Sequence, residues 1–374
     1  MPERKSLFSY GTSVSTEQSR LARQFTSGDK RCERWLFGRN EQSLALSKIL
    51  DVDGFTDDFA DIKTWNGKAV RKPEELPNTS IVINCVVNSK PRTAQKRLAK
   101  MNVSGKLAYM ELYNVAPDLI PLPEFVRLSR FEFDLNYPKL MRLHDSLADD
   151  ASRRVMLDVW RYRLSGEIES LAGYTYRPSD QYFEDFHNLS SGEIFVDVGA
   201  FDGDTTEEFC TRYPDYEKVY IFEPSKSNIA KARERLHRFL RLEFIPEGVS
   251  DVAGVLKFNP DAGSASNITA AGTSLINVTT LDHKIPGKVT FVKMDIEGWE
   301  LKALAGARGH IEKDRPVLAI AAYHIPSHFW EIFELVTALT PDYDIYLRHY
   351  SESWTETVMY FIPKRKNHAS RKDG

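Results

Sequence analysis

Glu193-Ile-Phe-Val-Asp-Val-Gly-Ala-Phe-Asp-Gly-Asp-Thr-Thr206 is the stretch whose reading decides the fold. Ile194 to Val198 is a short apolar run broken only by Asp197, the pattern of a strand buried on both faces. Gly199 and Gly203 let the chain turn tightly and bring its backbone close to a ligand. Asp204-Thr-Thr206 then supplies cap and first-turn residues for a helix running to about Arg212. Strand, glycine turn and helix, in that order, are how an open α/β sheet cradles a nucleotide. A dinucleotide site favours G-x-G-x-x-G, with its pyrophosphate on the helix N-terminus. Here the spacing is G-x-x-x-G, and Asp197, Asp202 and Asp204 crowd the turn. Carboxylates repel a pyrophosphate and suit a cationic ligand with ribose hydroxyls and an amino group, of which S-adenosylmethionine is one. The competing reading is a βα turn of a Rossmann-like domain that binds nothing.

Downstream, Lys218 to Phe222 reads as a second strand, ending at Glu223-Pro224. An acidic residue about 20 to 25 positions after a glycine turn is placed for ribose hydroxyls. Ser225 to Leu240 reads as a helix, and Leu242 to Ile245 as a third strand ending at Glu247-Gly-Val-Ser250. Val255 to Phe258 and Ser274 to Thr280 are short antiparallel pieces. The polar loop Gly263 to Asn267 between them either touches a substrate or faces solvent. Val289 to Met294 is a fourth strand closing on Asp295-Ile-Glu-Gly298, followed by a helix from Trp299 to Arg308. Pro316 to Tyr323 is a fifth strand ending at His324. Phe329, Ile332, Phe333 and Val336 form the inner stripe of a helix from Ser327 to Leu339. Tyr343 to Arg348 and Thr355 to Ile362 are joined so briefly that they pair antiparallel. Seven strands with a terminal hairpin fit a class I methyltransferase sheet better than a six-strand dinucleotide sheet.

Upstream, residues 1–29 are polar and without clear period, and read as a flexible arm or loose helix. Residues 30–115 carry a β-α-β-β-α-β pattern, a smaller Rossmann-like α/β domain whose last strand runs from Lys106 to Leu112. Its first turn, Gly38-Arg39-Asn40, has one glycine where a dinucleotide site has three. A scaffold without nucleotide is the plain reading; a nucleotide-like ligand, or a dimer surface building a homo-oligomer, are the others. Residues 116–185 form a helical bridge, with Pro117, Pro121, Pro123 and Pro138 marking irregular chain. Val155, Met156, Val159 and Trp160 face inward within the helical region Ser146 to Leu171. The aromatics of Gln181 to Phe186 either lid a cofactor pocket or pack as core. The methyltransferase domain spans 186–363, and the basic tail 364–374 reads as disordered.

The 374 residues are 42% hydrophobic and 28% charged, enough for one large or two modest globular domains. A net charge of -3 with interspersed signs argues against nucleic acid as the main partner. Cys32, Cys85 and Cys210 lie far apart, without a C-x-x-C pair, which fits a reducing compartment. Met1 to Ser13 lacks an apolar core for a signal peptide, and Ile81 to Val87 is too short to span a membrane. A cytoplasmic protein is expected.

Phe195 to Thr205, Phe222-Glu-Pro224, Gly248-Val-Ser250, Val292-Lys-Met-Asp-Ile-Glu-Gly298, Ala322-Tyr-His324 and Tyr346-Leu-Arg-His-Tyr350 together resemble the FkbM-type methyltransferases, over residues 150–362. The resemblance implies S-adenosylmethionine as cofactor and a hydroxyl acceptor on a sugar, glycan precursor or related metabolite. Asp197, Gly199, Ala200, Asp202, Gly203, Glu223, Pro224, Ser250 and Asp295 are the expected cofactor residues. Methyl transfer to oxygen needs a base at the carboxyl ends of the strands, where Asp295, Glu297 and His324 fall, His324 being the expected base. Asp295 joining a metal site and Glu297 serving as a metal ligand are alternatives, but one carboxylate pair lacking a further His or Asp at ligand spacing does not define such a site, and no metal ligand is assigned. The rival readings are a nicotinamide-dependent oxidoreductase and a non-catalytic nucleotide-binding or assembly module. No G-x-G turn supports the first of these.

Overall fold

The computed structural model describes residues 8–11, 13–28, 31–259, 267–268 and 272–364. The polar loop from Gly263 to Ser266 and the tail after residue 364 lie outside the described residues, as does the start of the expected arm. The chain divides into two compact units. One comprises residues 1–137, 156–176 and 351–355; the other comprises 138–155, 177–350 and 356–374.

The first unit is built on β1 (Arg34–Phe37), β2 (Gly54–Thr56), β3 (Thr64–Trp65), β4 (Lys68–Arg71), β5 (Ile81–Asn84) and β6 (Gly105–Ala108). Their order is β3-β4-β2-β1-β5-β6, parallel except for the β3–β4 pair. β1 and β5 are buried at every position, which is why both are apolar apart from one terminal residue each, Arg34 and Asn84. Part of the expected arm is ordered here. Thr16–Thr26 is a helix closed by a capping box between Ser15 and Gln18, and it buries Leu21, Ala22 and Phe25. The last expected strand stops early at Ala108, because Glu111 accepts the Ala108 N–H at 2.7 Å and starts the helix Tyr109–Val115.

The expected bridge at 116–185 is divided between the two units. Pro138 does not mark irregular chain; it lies inside the helix Glu124–Ser146 and is absorbed as a kink at Asn136, with φ -122° and ψ 16°. Val155, Met156, Val159 and Trp160 are all buried, as their spacing on Asp150–Ser165 predicts.

The second unit contains β7 (Ile194–Val198), β8 (Lys218–Phe222), β9 (Leu242–Ile245), β10 (Gly248–Val249), β11 (Gly254–Asn259), β12 (Asn267–Ile268), β13 (Ser274–Thr279), β14 (Phe291–Met294), β15 (Val317–Ala321), β16 (Tyr343–His349) and β17 (Thr357–Pro363). Seven of them form the sheet β16-β17-β15-β14-β7-β8-β9, in which only β17 runs antiparallel to its neighbours. The terminal hairpin and the α/β class agree with the expectation. A small sheet, β10-β13-β11-β12, includes the antiparallel pair read from the sequence. Phe195 stacks on Phe209 at 4.3 Å and packs against Phe291 at 4.8 Å, fixing helix to sheet. The expected helix from Trp299 to Arg308 is instead two short ones, Glu300–Ala305 and Arg308–Lys313. Gly306 sits between them, where a Cβ would come 2.0 Å from the Ser250 carbonyl oxygen.

Strand order reverses at β7: β8 and β9 lie on one side, β14 and β15 on the other. The crevice at such a switch point, outside the carboxyl ends of the strands, is where open α/β sheets bind ligands.

Candidate active site

Gly199 leaves β7 with φ +80°. A Cβ there would lie 2.0 Å from the Asp295 carbonyl oxygen, so glycine is needed because the ends of β7 and β14 nearly touch. Gly203, φ +86°, lets the helix Asp204–Arg212 pack close to Ala232 and Leu236. The turn is buttressed from beneath by Lys293. Its Nζ lies 3.0 Å from Asp197 Oδ1 and donates to the Gly199 carbonyl at 2.7 Å, and both charged side chains are buried.

A cleft enclosing about 560 Å³ of space, open solvent included, lies over these strand ends. Gly199, Glu223, Pro224, Asp295 and Glu297 line it, together with residues not singled out in the sequence, among them Phe201, Asn228, Val249 and Trp299. Glu223 is buried, and each of its oxygens accepts one backbone N–H, from Ser225 at 2.7 Å and Phe201 at 3.0 Å. Burial raises its pKa, against the pull of those hydrogen bonds. One lone pair on each oxygen remains free of backbone bonds.

Four expected cofactor residues have other partners. The Asp197 carboxylate is fully buried between Lys293 and the Thr206 hydroxyl. Asp202 pairs with Arg235 at 2.7 Å. Ala200 is buried, and its N–H donates to Phe222 at 3.1 Å. Ser250 accepts the Trp299 indole N–H at 3.2 Å and so holds a cavity wall.

Asp295, Glu297 and His324 do come together. Asp295 and Glu297 follow β14 and His324 follows β15, its neighbour. His324 Nε2 lies 3.3 Å from Asp295 Oδ1 and 3.4 Å from Glu297 Oε2. Its Nδ1 lies 2.9 Å from Oε1 of Glu300, a fully buried carboxylate whose other oxygen faces His328 at 3.3 Å. The Glu300 Oε1 also accepts the N–H groups of Ile296 and Gly298, which holds a turn whose Glu297 is left-handed at φ +55°. Burial opposes charge on His324, but Glu300, Glu297 and Asp295 outweigh it and raise its pKa well above the ordinary value. Burial likewise opposes charge on Glu300, yet His324 and His328 hold its pKa far below the carboxylate range. A charged ring has no lone pair for a hydroxyl proton, which argues against His324 as the base. The Gln181 to Phe186 aromatics pack as core rather than as a lid: Tyr182 and Phe183 are buried, and the Tyr182 hydroxyl donates to Asp295 Oδ2 at 2.6 Å.

Residues 197–352 match the family model described as the methyltransferase FkbM domain. This segment is similar to FkbM methyltransferase domains. No curated protein matches the chain in sequence. Among solved structures, the chain is similar to the methyltransferase FkbM from Methylobacillus flagellatus KT, with 21% identity, 96% of each chain covered and a TM-score of 0.73. A putative rRNA methylase from Clostridium thermocellum shares 12% identity over 47% of this chain and 90% of its own, with a TM-score of 0.33. A putative methyltransferase from Streptococcus mutans, solved with SAH, shares 14% identity over 46% of this chain and 90% of its own, with a TM-score of 0.32. The matched segment contains the whole strand-end cluster, from the β7 turn through Glu223 and Asp295 to His324. Glu300 and Lys293 were missed in the sequence, although Lys293 lies within the Val292 to Gly298 motif and Glu300 just beyond it.

Proposed function

We propose that this methyltransferase uses S-adenosylmethionine to methylate a hydroxyl on a sugar, glycan precursor or related metabolite. The observation that carries the reading is one cavity lined by Glu223, Asp295 and Glu297 beside the β7 turn. The donor set fits the cofactor. Glu223 has lone pairs for two ribose hydroxyls, Val249 and Trp299 offer an apolar wall for a base, and the acidic rim suits a cation. The bound cofactor supplies a methyl group on a sulfonium. The protein's own part is to orient the acceptor and to remove its proton. Tyr182 fixes Asp295 through Oδ2, leaving Oδ1 toward His324. Glu297, about a quarter exposed on the cavity wall, is the carboxylate best placed to take the hydroxyl proton. His324 positions both carboxylates. Three buried cysteines without disulfides agree with a reducing, cytoplasmic setting. No described helix is long and apolar enough to cross a membrane.

Calorimetric titration of the full chain with S-adenosylhomocysteine and with NAD tests the reading. S-adenosylhomocysteine should bind and NAD should not. Glu223→Ala should weaken S-adenosylhomocysteine at least about tenfold, since hydrogen bonds to a charged group are worth roughly 1.5 to 3 kcal/mol. NAD binding without S-adenosylhomocysteine binding overturns the proposal. Unchanged affinity in a folded Glu223→Ala protein removes Glu223 from the site.

A further inference from the structure

Asp295, Glu297 and His324 each offer a ligand atom, and these atoms all lie within 4.8 Å of one another. The two contacts to His324 Nε2, 3.3 and 3.4 Å, are the spacing of neighbouring ligands around one ion. Oxygen and nitrogen ligands at about 2.0 to 2.2 Å from a shared metal sit roughly 3 to 3.5 Å apart.

The histidine gives the cluster a meaning that acidic residues alone lack. Its side chain is 6% exposed, and neither ring nitrogen makes an aligned hydrogen bond within the protein. The Glu300 carboxylate beside Nδ1 favours the tautomer with the proton on Nδ1. Without an ion a proton on Nε2 answers the two carboxylates; a divalent cation standing among them displaces that proton and takes the Nε2 lone pair. A carboxylate behind the distal ring nitrogen is also what orients metal-ligating histidines in general. Asp295 is prepared in the same way: Tyr182 occupies Oδ2, and Oδ1 faces His324. Asp295 and Glu297 line the cavity, so the remaining coordination positions face it.

We propose that Asp295, Glu297 and His324 bind a divalent cation, of the Mn²⁺ or Mg²⁺ type. Two carboxylates and one neutral imidazole balance a charge of two and suit an ion that keeps open positions. Resting on the methyltransferase reading, the ion's task is to ligate the acceptor hydroxyl and lower its pKa. The O–H bond breaks and its proton leaves to water; the oxygen keeps the electron pair and bonds the methyl carbon as the carbon–sulfur bond breaks.

The test uses the full chain, freed of metal by chelator and without cofactor, titrated with Mn²⁺ and followed by electron paramagnetic resonance. The expected result is saturable uptake of Mn²⁺, competed by Mg²⁺, with a rise in melting temperature on loading. Glu297→Gln should weaken uptake at least about tenfold while melting, metal-free, like the wild type. Glu312→Gln, at an exposed carboxylate paired with Arg308 away from the cluster, should leave uptake unchanged. Should Glu297→Gln fail to fold, His324→Gln is read in its place, and loss of the Mn²⁺-induced melting shift supports the site. Absence of saturable uptake by the wild type overturns the proposal, as does wild-type affinity in either folded variant. Because the probe is the ion alone, binding of S-adenosylhomocysteine without Mn²⁺ refutes the cation site and leaves the methyltransferase reading standing. Binding of Mn²⁺ without S-adenosylhomocysteine does the reverse.

Discussion

At the end of β1 the chain turns through Gly38 into the helix Glu41–Ile49, and at the end of β7 it turns through Gly199 and Gly203 into the helix Asp204–Arg212. Both turns leave a buried parallel strand that has partners on either side. At the first edge the polar groups satisfy one another. Asn40 caps Ser43 and donates to the Cys85 carbonyl, Asn84 bonds Gln95 and the Val86 N–H, and Arg39 pairs with Asp57 and Asp61. A Cβ on Gly38 would come 2.7 Å from Val86, so even the glycine serves packing. At the second edge Glu223, Asp295 and Glu297 line a cavity, and the nearest cationic partner of the last two is a histidine. The same strand–turn–helix plan therefore yields mutually paired polar groups in one unit and an open acidic cavity in the other. What separates them is whether the strand-end polar groups neutralise each other locally.

The sharpest way to break that comparison is beneath the β7 turn. Lys293 and Asp197 are paired where neither side chain is more than 4% exposed. Lys293→Met leaves a buried carboxylate with only the Thr206 hydroxyl, and should cost about 3 to 5 kcal/mol. Adding Asp197→Asn should restore much of that, because the amide oxygen still accepts from Thr206 while the stranded charge is gone. Denaturant titration of the single and double variants measures both. A single variant as stable as the wild type would mean that the turn does not depend on the pair.

A second test uses the distribution of histidines: the eight among the described residues all fall in the second unit. His187 packs against Phe186, Phe291 and Tyr360 without a hydrogen bond to its ring, and burial lowers its pKa to about 3. Between that value and the unfolded value near 6.5, the unfolded chain binds a proton that the folded chain excludes. The contribution is therefore complete above about pH 6.5 and is lost as the pH falls toward 3, at up to about 1.4 kcal/mol per unit. His187→Phe should remove this loss, so its advantage over the wild type should grow to roughly 2 kcal/mol by pH 5. Parallel stability curves for the two proteins from pH 7 to pH 5 would count against it.

The strands of both units were legible because parallel strands buried on both faces are largely apolar, as Ile194 to Val198 is apart from Asp197 and Ile81 to Asn84 is apart from its last residue. Ends were harder to read, because local hydrogen bonds set them: Glu111 turns a strand into a helix at Tyr109, and Ser15 with Gln18 orders part of the arm. In the site, acidic residues at strand ends could be found from their position alone. Which of them face the cavity could not. Asp197 and Asp202 sit in the same turn as Gly199, yet Lys293 and Arg235, distant in sequence, take them up. The roles of Tyr182 and Glu300 were hidden for the same reason, since each matters through a partner in another motif: Asp295 for one, His324 for the other.

The smallest expected effect lies at the closed edge of the first unit, and it completes the comparison. Arg39 Nε lies 2.9 Å from Asp57 Oδ2, with both side chains partly exposed, and a second carboxylate, Asp61, stands 3.2 Å from the guanidinium. Arg39→Met removes the cation but does not strand a buried charge. Asp57 keeps the Phe59 N–H at 2.9 Å on its other oxygen, and Asp61 is open to water. Partly exposed pairs of this kind are worth about 1 kcal/mol or less, so the midpoint of unfolding should move only slightly. S-adenosylhomocysteine affinity should not move at all, because Arg39 and Asp57 belong to the other unit from Glu223 and Asp295. Denaturant titration and calorimetry on the one variant read both quantities. A loss comparable to that of Lys293→Met would show that the two edges rest on the same kind of ion pair. A change in cofactor affinity would show that the first unit's edge belongs to the site after all.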